Sequence, residues 1–566
     1  MTLSILKYNL TIGLLISTHI LFAQVKKNEQ PPVEKNNKKK EQVKGVISEE
    51  VDVVRPYKPI LADAVKIRRN PDLTNNPTFR PVLLYSILDK KLELDSNIPK
   101  LHTQKLVDKK EIASNNNYLK LAGGNFNTSL GQLYINNGND EALRIGLFVK
   151  HLAQQGNIDK QQFSHQKMSA FGHSIGTRAT LSGQLNFDRK QTYFYGFDPA
   201  IATAGINPPQ QRFNVIKAKG ELFNNYAESN RFSYKINGNG YLFNNLFDAK
   251  ENNVVFSASL NQVVNRFSFG IDASIDLTNS KDLAYSINND IFKSNPHVQL
   301  QASNFILNIG INIVQEYGSG SRMSILPAVS VVLPIASTYA SLFAGVHGDV
   351  IKNNLNDLTS ENPYLNQNAA ITNTTERINI YAGIKGNTGH VLGFKATASY
   401  KEVENMQLFQ NNPLQINRFD VIYDPGKSTI LALEGELEIK ASDVFSLLGR
   451  AQANSYKMAT EKEAWFKPTL CLGSTVKAKI SRKLSLDAEV AFNGETNAKV
   501  INPITSQQSS VTINSYTDIS AGAEYQIIKN ARLYVRANNL LGTSYEQYLY
   551  YPKLGFGIFG GLNFSF

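Results

Sequence analysis

The chain of 566 residues carries one cysteine, Cys471, and one tryptophan. A single thiol excludes an internal disulfide framework. Long apolar runs are also missing. After Phe22 no stretch offers the roughly 20 apolar residues that a membrane helix needs, and the mean hydropathy is −0.26, so a bundle of membrane helices is excluded. Histidine is scarce, with eight residues and no metal spacing such as H-E-x-x-H; no metal and no cofactor is expected. Gly172-His-Ser-Ile-Gly176 fits the nucleophile-elbow pattern, which works only on a strained strand-to-helix turn. Its flanks read as strands, where the adjacent His173 and Ser174 point to opposite faces, so catalysis is not expected. Acidic residues are outnumbered, 47 against 59 basic, giving a net charge of +12. The basic residues form no patch interleaved with aromatics, so nucleic acid is not an expected partner.

Taken in order, the chain divides into four parts. Residues 1–23 place Lys7 before the apolar run Leu10 to Phe22 and end at Ala23, which reads as a secretory signal peptide. Residues 24–50 are rich in Lys, Asn, Gln, Glu and Pro, with seven lysines between Lys26 and Lys44; this is the composition of a solvated linker. Residues 51–116 read as an N-terminal periplasmic or lumen-inserted segment. In it Val51, Val53 and Val54 form a short extended stretch that Pro56 and Pro59 keep from pairing further. That stretch is open to two readings: a strand-adding contact with a partner's sheet edge, or a tether or lumenal insert.

From residue 117 to 566 the pattern has period two. Phe267, Phe269, Ile271, Ala273, Ile275 and Leu277 alternate with Ser268, Gly270, Asp272, Ser274 and Asp276. The same alternation recurs at residues 392–401, 431–440 and 484–493, with charge on the second face each time. Strands with water on one face and hydrocarbon on the other predict an all-β transmembrane antiparallel barrel. Segment spacing gives about 22 strands, with 16–22 compatible, since barrel strand numbers are even and such segments average roughly 20 residues with their loops. Tight turns at 228–231, 264–265, 481–483 and 529–530 alternate with long polar connections near 153–165, 198–210, 350–375 and 495–511, as in outer-membrane barrels.

The last thirteen residues, Leu554 to Phe566, place Leu554, Phe556, Ile558, Leu562, Phe564 and Phe566 on one face, and only Phe559 breaks the alternation. An aromatic strand ending on a Phe carboxylate is similar to the terminal signal read by the barrel-assembly machinery of diderm bacteria. The preceding hairpin, Ala523 to Leu540 with an Asn539-Leu540 pair, followed by Tyr545-Glu546 and the Gly-rich closing strand, resembles the barrel end of TonB-dependent receptors. The resemblance implies an outer-membrane location, outer-membrane lipid around the wall, and uptake or passage of a solute of unknown identity. It also makes TonB, or another periplasmic protein, a partner for the Val51, Val53, Val54 segment. Fewer than 70 residues separate Asp52 from the barrel, without the Gly-rich and Arg-rich motifs of the family's plug. A structural or secretion-associated scaffold without solute flux is therefore the competing reading.

Four side chains stand out on the lumen face. Glu434, Glu436 and Glu438 form a ladder on one strand, spaced about 7 Å apart. The expected reading is pairing with Lys217, Lys219 or Arg536 across the pore, with a Ca²⁺ site or a cation-attracting strip as the alternatives.

Overall fold

The computed structural model describes residues 117–566 apart from 139, 141, 200–206, 226–231, 319, 337–338 and 390. The signal peptide 1–23, the linker 24–50 and the segment 51–116 with Val51, Val53 and Val54 lie outside the described residues, as does the expected turn at 228–231.

Around the wall each strand position pairs antiparallel with the next one along the chain, small loop hairpins aside, and the first, Tyr118–Gly124, pairs with the last, Gly557–Ser565, from Tyr118↔Ser565 to Gly124↔Phe559. The sheet is closed. It contains 23 strands, but Ser286–Asn288 and Asp290–Gln301 both pair with Phe267–Lys281 and occupy one wall position interrupted at Asn289. The wall therefore has 22 positions, an even number that returns the chain to its starting rim. Closure matters because an open edge would leave unpaired N–H and C=O groups, which hydrocarbon cannot satisfy.

The alternation decides which side each residue faces. Leu185, Phe256, Ile325 and Leu433 point outward and are 60%, 60%, 63% and 63% exposed. An outward apolar band of this kind is what a lipid-facing wall presents. The closing strand starts at Gly557 rather than Leu554, because the Leu554 carbonyl is tied into the preceding loop by Asn539 Nδ2 at 3.0 Å. Phe556, Ile558, Leu562, Phe564 and Phe566 lie on the outward face, 42–53% exposed. Phe559, the break in the alternation, faces inward, with its ring edge-on to Tyr534 at 6.5 Å; Gly561, opposite Tyr534 in the register, brings its backbone against Leu121 on the other side, where a Cβ would lie 1.8 Å from the Leu121 carbonyl oxygen.

All the long connections lie on one rim. The other rim has tight turns, among them Asn265-Arg266, where Asn265 adopts φ 56°. Two of the long polar connections contain regular structure. Residues 350–375 contain the helix Leu355–Glu361, and residues 495–511 contain the hairpin Thr496–Ile501 with Gln508–Ile513. The strands Leu392–Asn411 and Phe419–Ser442 have 20 and 24 residues, about twice the 9–11 a tilted strand needs to cross hydrocarbon. Their excess rises above the apolar band on the loop rim.

Candidate functional site: a polar lumen under an aromatic cap

The loops do not stand apart around the mouth; they meet over it. Phe194, at the end of Ala179–Tyr193, accepts a hydrogen bond at its carbonyl from Asn417 Nδ2 at 2.8 Å, and Asn417 follows Leu392–Asn411. Those strands are the fifth and fifteenth of 22 around the wall, counted from the ladder order, so the bond joins nearly opposite sides. Tyr551, from the loop before the closing strand, donates its hydroxyl to the Asn417 carbonyl at 2.5 Å. Its ring stacks on Tyr364 with centroids 3.6 Å apart, and Tyr548 donates to the Glu361 carbonyl at 2.5 Å. Phe194 and Phe419 are fully buried in this cluster, with Tyr551 at 1% exposure. Burial is the main cause that holds the Tyr364, Tyr548 and Tyr551 phenols well above their usual pKa. The fit is close: a Cβ on Gly196 would lie 2.3 Å from the Tyr551 ring.

Two buried carboxylates fasten the cap to the wall. Glu251, fully buried, accepts from Tyr241 Oη at 2.8 Å, Ser280 Oγ at 2.5 Å, and the Leu355 and Asn356 amides at 2.8 and 3.0 Å. Four donors fill the acceptor capacity of a carboxylate and hold the start of the helix Leu355–Glu361. Asp424, above the apolar band in the outer third of its strand, accepts from the Ala459, Thr460 and Glu461 amides at 2.7–2.9 Å and from the Ser428 and Thr460 hydroxyls. Burial opposes its charge, but these donors outweigh burial and lower its pKa to about 2. Beside it, Trp465, fully buried, donates Nε1 to Glu461 at 2.7 Å, and Glu461 pairs with Lys499 at 2.8 Å.

A short motif recurs in three loops. In Asn362-Pro-Tyr364 the Asn Oδ1 accepts from the Tyr364 amide at 3.0 Å, and the tyrosine is buried. In Asn412-Pro-Leu414 and Asn502-Pro-Ile504 the same Asn acceptor holds the Leu414 and Ile504 amides at 3.0 and 2.9 Å. There the aliphatic side chain is turned out, 87% and 91% exposed.

Below the cap the inward face is polar. Glu434 stands opposite Thr397 and Gln452, and Glu436 lies between Lys395 and Arg450, with Arg450 Nε at 4.0 Å. Glu438 pairs with Lys440 of its own strand at 2.7 Å. Arg536 pairs with Asp487 at 2.8 Å and Glu489 at 3.4 Å, and Lys219 with Glu221 at 3.7 Å. Lys217 lies 5.6 Å from the Tyr241 ring centre. Pairing of the ladder across the pore is thus not observed: the strands of Lys217 and Glu434 are the sixth and sixteenth of 22, too far round a wide lumen for side chains to touch. Among the described residues no three His, Cys, Asp or Glu side chains converge as a metal would require. His173 stands opposite Arg144 and Ser182 on the inner face, and Ser174 opposite Leu143 and Leu181 on the outer, so they do not form a base and nucleophile.

The cap was not anticipated from sequence. Its one signal is a break in alternation, Tyr545-Glu-Gln-Tyr-Leu-Tyr-Tyr-Pro552, where aromatics crowd without period.

No family model and no curated protein matches the chain. Solved structures do match in fold. The ferripyoverdine receptor of the outer membrane of Pseudomonas aeruginosa aligns with TM-score 0.59 at 14% identity over 80% of this chain and 71% of its own. The ferric-catecholate import receptor Fiu from E. coli K12 aligns with TM-score 0.59 at 11% identity over 80% and 82%. The siderophore receptor PirA from Acinetobacter baumannii gives TM-score 0.59 and 11% identity over 80% of each chain. The described chain thus has the 22-strand barrel fold of TonB-dependent siderophore receptors.

Proposed function

We propose that this protein is an outer-membrane transport barrel, with its tight turns toward the periplasm and its capped rim outside the cell, through which a solute is received or passed. The observation that carries the reading is a closed 22-position wall with a polar lumen and a mouth bridged by packed loops. Siderophore receptors of the same fold support transport as the class of function. A barrel this wide would be an open hole if nothing crossed it, and the cap supplies an outer barrier. The test is planar-bilayer conductance of the folded protein beside a cap variant, Tyr364→Ala with Tyr551→Ala. The expected result is a silent wild type and a conducting variant; a variant as silent as the wild type overturns a lumenal route. Whether transport is energised is decided by Val53→Pro, which removes a backbone donor from an extended segment. If Val51, Val53 and Val54 couple to TonB, uptake is lost at normal barrel abundance. Recognition by the assembly machinery is tested by deleting Phe566, which should lower the folded, heat-modifiable fraction.

The scaffold reading has one observation in its favour: Leu414 and Ile504 are held out from the capped rim by the same Asn-Pro turn. A protein partner recovered in every preparation and lost on Leu414→Asp with Ile504→Asp, with no flux in either barrel, would favour it.

A further inference from the structure

Charge is unevenly distributed around the lumen wall. From the sixteenth to the twenty-first strand positions, cations and anions interleave and neutralise one another: Arg536 with Asp487 and Glu489, Arg532 with Glu524, and Lys440 with Glu438. The third to seventh positions differ. Their register puts Lys150, Lys167, Lys190, Lys217, Lys219 and Lys235 on the lumen face, with Arg144 nearer the turn rim, against two carboxylates, Asp188 and Glu221. Glu221 is shared, 3.7 Å from Lys219 and 3.1 Å from Lys235. Lys150 and Lys167 are directly opposed across two paired strands, and Lys217 and Lys219 are two apart on one strand face.

Like charges placed directly opposite on a sheet are destabilising. One such pair stands in this arc, Lys150 against Lys167, whose other neighbour is Asp188, and the remaining lysines recur on neighbouring strands with mainly neutral residues opposite them, such as Asn186 opposite Lys217 and Gln184 opposite Lys219. A concave, low-dielectric wall focuses the field of such charges into the lumen, and lysine and arginine linings are how pores favour anions. An anionic group in front of the strip would relieve the repulsion that the strip carries when empty.

We infer that this basic arc is an anion-binding strip and that the solute moving through the lumen carries carboxylate, phosphate or sulfonate charge. The inference rests on the lumenal route proposed above. The lysines act as point charges of long reach, which suits successive weak contacts along a path better than one rigid, bidentate site.

The experiment uses the full chain with Tyr364→Ala and Tyr551→Ala, so that the mouth is open. Reversal potentials in a KCl gradient give the chloride-to-potassium permeability ratio, first alone and then with Lys167→Gln, Lys217→Gln and Lys219→Gln added. The expected ratio is at least about threefold in favour of chloride, falling to near one in the triple-lysine variant. A conducting barrel without chloride preference, or one whose preference survives the three substitutions, overturns the strip and leaves the lumenal route standing. A barrel that does not conduct overturns both. Thermal unfolding of the triple-lysine variant in the wild-type cap background gives a readout independent of conduction. Loss of opposed positive charge should leave the unfolding temperature unchanged or higher, and a marked fall would make the lysines structural and overturn the inference.

Discussion

The wall and the cap bury apolar side chains in opposite ways. On the wall, Leu433 and Ile325 are each 63% exposed to whatever surrounds the protein, and the strands meet at the turn rim through connections as short as Asn265-Arg266. In the cap, Phe194, Phe419 and Trp465 are fully buried and the connections reach the length of residues 352–373. The difference follows from solvent. A wall in hydrocarbon needs no core, because lipid covers its apolar face and the closed ladder pairs the backbone from strand to strand. A cap in water must supply its own core, and it does so by bringing aromatics from loops on opposite sides of the barrel into contact. The same residue types therefore report different environments: outward exposure marks membrane, and buried aromatics mark the water-facing rim.

This contrast can be broken from either side. The largest effect is expected at the cap centre, where Tyr551→Ala removes a stacked, hydrogen-bonded ring and should cost the cap about 3–5 kcal/mol. Loop proteolysis should rise sharply while the heat-modifiable barrel persists; equal loss of barrel and cap would show that the two fold as one unit. Next, Leu433→Arg places a charge on the outward band and should cost about 2–4 kcal/mol if that position lies near the bilayer midplane. Unfolding measured in lipid vesicles checks this, and a neutral outcome would remove Leu433 from the lipid-facing wall. Asp424→Ala should be smaller, about 1–3 kcal/mol from the amides and hydroxyls it leaves unsatisfied, and should release residues 458–469 to protease without loss of the barrel.

Acid tests the same anchor. Asp424 is depressed to about 2, below the ordinary value of about 3.9, so its contribution is complete above about pH 4 and is lost as pH falls toward 2. Cleavage of the 458–469 loop by an acid-stable protease should therefore increase in that window in the wild type and stay flat in Asp424→Ala. The smallest effect is expected at the lumen ladder. Glu438→Gln disrupts an exposed pair with Lys440 and should change stability by less than about 1 kcal/mol, read from the same vesicle unfolding curves.

Period-two alternation was enough to determine the wall. Residues 267–277 and 431–440 can bury one face in hydrocarbon and wet the other only as strands, so strand identity, facing and an even number near 22 follow from the order of residues alone. The break at Phe559 was visible in the sequence, but its surroundings were not: the inward ring meets Tyr534 of the neighbouring strand, a relation that exists only once the register is set. The partners of Glu434, Glu436, Glu438 and Arg536 were likewise beyond reach, because which charges meet depends on wall position and lumen width, not on spacing along the chain. The cap was decided entirely by tertiary structure. Phe194, Asn417 and Tyr551 are separated by more than 130 residues from one another, and only the ring closure of 22 strands brings the ends of the fifth and fifteenth to opposite sides of one mouth, where buried aromatics are the means of excluding water.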